Sequence, residues 1–134
     1  MKRLPGAALL LVAAIIGLHC GDSISSRPGD LKIRLTTPNP GADSAIIFTI
    51  TGPSGSVLTS ATAAAGFQLF QQPLTGNTTR FALIGELTQG AVILTIGVPN
   101  VLEFAQYSGA IEGVAQPNYQ LRPLPGGYAL SITR

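Results

Sequence analysis

The sequence predicts an all-β protein, an antiparallel β-sandwich of about eight strands that follows an N-terminal hydrophobic signal helix. Short apolar or alternating runs follow residue 30, separated by Gly, Pro and Asn at intervals of roughly ten residues. No run in this part has the length and period of an amphipathic helix, and no internal repeat is present. Such strands form sandwiches or barrels, and a sandwich fits a chain this short with no obvious ligand cavity.

The first two strands differ in their expected burial. Leu31, Ile33 and Leu35 alternate with polar or charged residues, which predicts one buried and one solvent-facing side. Residues 45–51 are rich in Ile, Phe and Thr, and we expect this strand to be buried on both faces. Residues 52–55 then predict a turn, because the proline fixes the φ angle at the second position.

The rest of the domain contains six further candidate strands. Gly76 and Asn77 mark a tight turn between two of them. In the strand after this turn, Phe81 and Leu83 share one face. Residues 61–65 are mostly alanine and predict a single helical turn. The candidate strands cover residues 57–60, 67–71, 78–84, 91–98, 107–114 and 128–133.

The start of the chain has the layout of a secretion signal. Lys2 and Arg3 precede an uncharged stretch, and residues 7–17 are almost wholly aliphatic, alanine or glycine. A short basic start before a short apolar core is typical of signal peptides. A membrane-spanning helix needs about 20 apolar residues, and an uncleaved anchor is therefore kept as the alternative. The predicted organisation is a signal peptide at 1–20, a flexible tether at 21–29 and one β-sandwich domain at 30–134.

Cys20 directly follows the apolar core and resembles the lipobox cysteine of bacterial lipoproteins. In that family the cysteine becomes the lipidated first residue of the mature protein, so the resemblance implies lipidation of Cys20 and attachment to a membrane. His19 and Gly17 depart from the pattern, which places a small residue directly before the cysteine and leucine three positions before it. Secretion after ordinary cleavage and retention of the segment are the two alternatives. The expected location is the cell envelope or the outside of the cell.

Cys20 is also the only cysteine of the chain, so no intrachain disulfide is possible. An unpaired thiol is unusual in an exported protein, because it is open to oxidation and to pairing between molecules. Lipidation of Cys20, or its removal with the signal, resolves this oddity.

The basic charge balance of the chain comes from its signal. The whole chain carries a formal charge of +2, but Lys2 and Arg3 belong to the first segment. The remaining residues hold six basic and six acidic side chains, and the basic ones are scattered. We therefore do not expect the domain to bind nucleic acid.

The predicted domain lacks the residues that most enzyme mechanisms require. The only histidine is His19, so a Ser–His–Asp triad and a histidine-bearing zinc site are excluded there. The glutamates Glu86, Glu103 and Glu112 are the remaining option, because glycoside hydrolysis needs two carboxyl groups. Each falls in or near a loop or on an alternating strand, which favours an ordinary solvated glutamate. No catalytic residue is predicted.

No metal site or cofactor is predicted either. Calcium needs several oxygen ligands close together, and the chain has no Asp-rich loop. Asp43 beside Ser44 is too isolated to count as such a site.

Exposed aromatic rings are the candidates for ligand binding, because they stack on sugar rings. Tyr119 lies in a polar loop and is the best candidate, with Tyr107 as the second. Phe70 and Phe104 are further candidates, and Tyr128 leads an alternating strand that favours burial. The chain has no tryptophan, the commonest residue of such platforms.

Three segments resemble the cohesin-type modules of exported bacterial proteins. They are the opening strand at 30–36, the apolar stretch at 45–50, and the segment 85–99, where glycines precede an apolar strand ending in valine and proline. The resemblance covers about 100 residues. It implies a nine-stranded, jelly-roll-like sandwich with a binding role; cohesins hold dockerin partners through a flat sheet face. The likeness lies in the core pattern, so no partner-contact residue transfers.

The leading hypothesis is a non-catalytic exported module, bound to an envelope protein or a polysaccharide and held at the membrane through Cys20. The first alternative is a purely structural envelope lipoprotein without a ligand. The second is a small glycan-active enzyme that uses Glu86 and Glu103.

Overall fold

The computed structural model describes residues 26–36, 43–124 and 126–134. This part of the chain forms nine β-strands and one short 3-10 helix at Val101–Gln106. The strands are β1 (Gly29–Thr36), β2 (Ala45–Thr51), β3 (Ser60–Ala63), β4 (Gln68–Thr75), β5 (Thr78–Ile84), β6 (Val92–Val98), β7 (Ser108–Ala115), β8 (Leu121–Arg122) and β9 (Ala129–Thr133).

The strands form two antiparallel sheets, which confirms the all-β prediction. The four-stranded sheet has the order β3-β6-β1-β9, and the five-stranded sheet has the order β4-β5-β2-β7-β8. Every pairing within them is antiparallel. Two sheets of this kind around one core are the arrangement expected of a β-sandwich.

The core is built from alternate residues of both sheets. Leu31, Ile33 and Leu35 of β1 are fully buried, as their alternation predicts. At the centre of the five-stranded sheet, the rings of Phe48 and Phe81 pack with centroids 5.6 Å apart. The other fully buried large side chains are Ile46, Ile50, Leu83, Leu87, Ile93, Leu94 and Ile96.

The first and last strands are neighbours in the four-stranded sheet. β1 pairs with β6 on one side and with β9 on the other, where Lys32 lies opposite Thr133. β6 in turn pairs with β3, and a glycine allows the close contact between them. A Cβ atom at Gly97 would lie 2.4 Å from the hydroxyl oxygen of Ser60, so a larger residue would force the Ser60 side chain to move.

The region before β4 corrects two predictions. The strand expected at residues 57–60 and the helical turn expected at 61–65 are wrong, because Ser60–Ala63 form β3. Ala61 and Ala63 pack against the core, while the remaining two residues of the strand face outward. Pairing with β6 therefore overrides the helical preference of the alanines.

β2 has the predicted bounds but not the predicted burial. Only Ile46, Phe48 and Ile50 are buried, and Ile47 between them is half-buried on the outer face. The expectation of burial on both faces is wrong because no second layer covers this face among the described residues. An apolar residue is consequently left facing outward in the middle of the sheet.

Two elements have no counterpart among the predictions, the two-residue β8 and the 3-10 helix. The helix begins after Asn100, whose Oδ1 accepts hydrogen bonds from the backbone N–H groups of Leu102 (3.1 Å) and Arg27 (3.2 Å). β1 already begins at Gly29, the last residue of the predicted tether. The predicted signal helix at 1–20 lies outside the described residues. Within the described part, no helix is long and apolar enough to cross a membrane.

Candidate functional site

Cys20, the predicted lipid attachment site, also lies outside the described residues. Tyr119 is 65% exposed, in the loop between β7 and β8. Its backbone has a φ angle of 61°, and its N–H donates to the carbonyl oxygen of Gln116 at 2.7 Å. The ring therefore lies at the surface, as the sequence predicts, and its backbone is held by a single turn.

Tyr107 does not offer an open ring. Its side chain is only 6% exposed and packs against Gly52, where an added Cβ atom would lie 2.6 Å from the tyrosine Cε1. Its hydroxyl is buried without a hydrogen-bond partner among the described residues. The proposal that Tyr107 stacks on a ligand at the surface is therefore corrected: the ring belongs to the core, because it closes the end of β2.

Glu86 and Glu103, the two glutamates of the glycan-enzyme alternative, lie toward opposite ends of β2, and Glu112 is engaged in an ion pair. Glu112 on β7 is paired with Arg80 on β5, with Nε to Oε2 at 2.9 Å and Nη2 to Oε1 at 3.2 Å. Glu86 follows the end of β5 that pairs with Ala45, whereas Glu103 lies in the 3-10 helix beyond the opposite end of β2. A strand of this length spans roughly 20 Å. Glycoside hydrolysis uses carboxyl groups less than about 10 Å apart.

Within residues 26–36, 43–124 and 126–134, no three His, Cys, Asp or Glu side chains gather into a metal site.

The one buried charged residue of the described chain is Asp43, two residues before the start of β2. Its Oδ1 accepts a hydrogen bond from Nε of Arg122 at 2.6 Å, and its Oδ2 accepts one from Nη2 at 2.7 Å. The hydroxyl of Tyr128 also donates to Oδ2, and the Arg122 guanidinium lies 6.0 Å from the centre of the Tyr128 ring. We call these three residues the Asp43 cluster. It joins the start of β2, strand β8 and the residue before β9, and so connects the two sheets.

The hydrogen bonds from Arg122 hold the pKa of Asp43 below its usual value of 3.8, against the opposing effect of burial. The hydrogen bonds to Asp43 in turn raise the pKa of Arg122. Both groups therefore stay charged at neutral pH. A carboxylate with three donors and no exposure is suited to holding the two sheets together and not to moving protons.

The Asp43 cluster predicts a loss of stability in acid. The pKa of Asp43 is lower in the folded protein than in the unfolded chain, where it is 3.8. The contribution of Asp43 to the free energy of unfolding is therefore complete above pH 3.8 and is lost as the pH falls below that value. We expect the free energy of unfolding to decline below about pH 4, measured by denaturant titration at a series of pH values. An Asp43→Ala variant should lack this component of the decline. An equal decline in that variant would assign the effect to other carboxyl groups.

The outer surface of the five-stranded sheet is the broadest candidate site, and we call it the five-stranded face. One row across it is apolar, because Phe70, Ala82, Ile47 and Gly113 lie in register on neighbouring strands. Beyond Gly113, a methyl group of Leu121 lies 3.6 Å from the position a Cβ atom would take. Phe70 and Leu121, at opposite edges, are 50% and 70% exposed. Among the described residues, the only charged side chains on this face are Arg80 and Glu112, which pair with each other.

The outer surface of the four-stranded sheet is polar. Lys32 and Arg34 of β1 point outward from it, and Thr62 and Thr95 lie in register with Lys32. The described residues thus define an antiparallel two-sheet domain with a polar outer face on the four-stranded sheet and an apolar row across the outer face of the five-stranded sheet.

Comparisons of the chain with known protein families, with curated proteins and with solved structures find no match. The chemistry of the chain's own surfaces is therefore what indicates its function.

Proposed function

We propose that this protein is a non-catalytic binding module of the bacterial cell envelope, held to a membrane by a lipid on Cys20. Its five-stranded face docks a protein partner. The difference between the two outer faces is the observation that carries the proposal. Natural sheets keep their solvent-facing positions polar, as the four-stranded sheet does, so an apolar row across the other sheet indicates a covered surface.

A protein fits this face better than a polysaccharide does. Sugar platforms use exposed aromatic rings, and the described residues of the face include only one, Phe70 at its edge. The middle of its apolar row consists of the small and aliphatic residues Ile47, Ala82 and Gly113, which allow close approach of another flat surface. The expected nine-stranded, jelly-roll-like arrangement resembling cohesins is in keeping with docking through a sheet face.

The partner surface should itself be flat, mainly apolar and close to neutral. Arg80 and Glu112 satisfy each other through two hydrogen bonds, so the described part of the face offers no unpaired charge to a strongly acidic or basic partner. Interfaces of this composition bind through their central apolar contacts. Ile47, on the middle strand of the sheet, is the expected centre of the contact.

Ile47→Asp is expected to weaken partner binding roughly tenfold or more, because a carboxylate at the centre of the interface would be desolvated without a partner. The matched control is Thr95→Asp, at the middle of the polar face. A photo-crosslinking residue at Thr49 would first capture the partner in cells. The purified partner would then be titrated against the wild-type protein and both variants. Proteins isolated from membranes would also show by intact mass whether Cys20 carries a lipid.

Equal affinities of the two aspartate variants would exclude the five-stranded face as the docking surface. Binding to a glycan that Tyr119→Ala abolishes and Ile47→Asp leaves intact would favour a polysaccharide module. A purely structural lipoprotein would give no crosslink at Thr49 and no glycan binding.

A further inference from the structure

β4 forms an open edge of the five-stranded sheet. Among the described residues it pairs with β5 alone. It is eight residues long, and every residue except Leu69 is exposed. Its sequence, QLFQQPLT, contains no charged residue. A long uncharged edge strand leaves backbone N–H and C=O groups available for pairing with another strand.

The edges formed by β8 and β3 are shorter or charged. β8 has two residues and includes Arg122, and β3 has only four residues. β4 carries two protective features, Pro73 and the bulge between Pro73 and Thr75, and both lie near its turn. The segment 68–72 is therefore the least protected part of the edge.

Pro73 fixes which backbone groups face outward. Proline has no N–H group, so its nitrogen takes a position that donates nothing to β5 and faces the open edge. The pairing with β5 is regular from Gln68 to Pro73. Because orientation alternates along a strand, Leu69 and Gln71 also direct their N–H and C=O groups to the open edge.

We propose that β4 pairs with β4 of a second copy of this chain, antiparallel and around a two-fold axis at Phe70. The backbone N–H and C=O groups of Leu69 then form hydrogen bonds with those of Gln71 of the partner subunit. The two Phe70 rings lie side by side on the outer surface. An axis at Gln71 would instead place Leu69 opposite the partner's Pro73, which lacks the necessary N–H group. The two five-stranded sheets become one continuous sheet. This pairing does not depend on the docking function of the five-stranded face.

The chemistry of β4 favours its own copy as the occupant. An uncharged strand meets no repulsion when it pairs with itself. In the proposed register Gln68 lies opposite the partner's Gln72 on the outer surface, and each amide can both donate and accept a hydrogen bond. A two-fold axis makes every such contact occur twice.

A cysteine at the axis tests this register. Leu69 and Gln71 would make the hydrogen bonds of the new pair, so Phe70 would occupy the non-bonded position, where opposite Cα atoms are about 4.5 Å apart and within disulfide range. We expect Phe70→Cys, in the full chain in detergent, to form a disulfide-linked dimer roughly tenfold faster than Ser131→Cys on the edge strand β9. Peptide mapping would separate a link at position 70 from one through Cys20. Equal rates would overturn the proposal.

Gln71→Pro provides an independent test, because it removes an outward N–H group without removing a bond to β5. We expect self-association, measured by analytical ultracentrifugation, to weaken roughly tenfold or more through the loss of two symmetry-related hydrogen bonds. Gln71→Ala keeps the N–H group and should retain the dimer, and thermal unfolding would verify that both variants are folded. A wild-type chain that stays monomeric at all concentrations, or pairs only with an unrelated protein, would refute the proposal.

Discussion

Replacing Phe48 by alanine is expected to lower the free energy of unfolding by about 4 kcal/mol. Phe48 is fully buried on β2, the middle strand of the five-stranded sheet, and its ring packs against that of Phe81. Rigid strands on both sides prevent the cavity from collapsing, so the lost contacts are not replaced. Denaturant unfolding of the two proteins would measure the difference.

Phe70→Ala is the matched control, since it removes the same ring from a half-exposed position on β4. We expect a loss of about 1 kcal/mol or less, measured at a protein concentration low enough to avoid self-association. Similar losses for the two variants would mean that the inner face of β2 does not form the centre of the core.

Asp43→Ala is expected to destabilise the domain by about 3 kcal/mol at neutral pH. The substitution leaves the Arg122 guanidinium without its carboxylate and removes the acceptor of the Tyr128 hydroxyl. Both partners are then only partly solvated, and the link between β2, β8 and the start of β9 is lost. Thermal and denaturant unfolding would report the loss.

The double variant Asp43→Leu/Arg122→Met separates the charge effect from the loss of packing. Because it removes both charges and restores apolar volume, we expect it to be more stable than Asp43→Ala. A double variant as unstable as the single one would show that the lost hydrogen bonds of the Asp43 cluster, and not the unpaired charge of Arg122, cause the loss of stability.

The strands with one buried and one solvent-facing side were predictable from the sequence. In β1, charged or polar residues alternate with Leu31, Ile33 and Leu35, and in β5, Phe81 and Leu83 alternate in the same way. Such alternation predicts both that the segment is a strand and which of its faces is buried. β3 could not be predicted, because an alanine-rich segment has a local preference for helix. Only its pairing with β6 holds the segment in an extended conformation.

The candidate sites were less predictable because they depend on residues distant in the sequence. Asp43 has a single polar neighbour in the sequence, Ser44, which does not identify it as a buried charge, and its partner Arg122 is 79 residues away. Ile47 lies in an apolar run that is typical of a strand covered on both sides, and only the absence of a second layer in the described structure exposes it. Tyr119 was foreseen because a polar loop exposes its ring regardless of tertiary structure.

The pairing of β1 with β9 has a kinetic consequence. A chain that emerges N-terminus first makes β1 early, but the strand opposite Lys32 contains Thr133, 101 residues later in the sequence. Closing a loop of this length carries a high entropic cost, and folds with such distant pairings form slowly. Leu35, opposite Leu130, therefore lacks its cross-strand neighbour until the residues of β9 are available for pairing. Until then, β1 is an open edge strand of the four-stranded sheet.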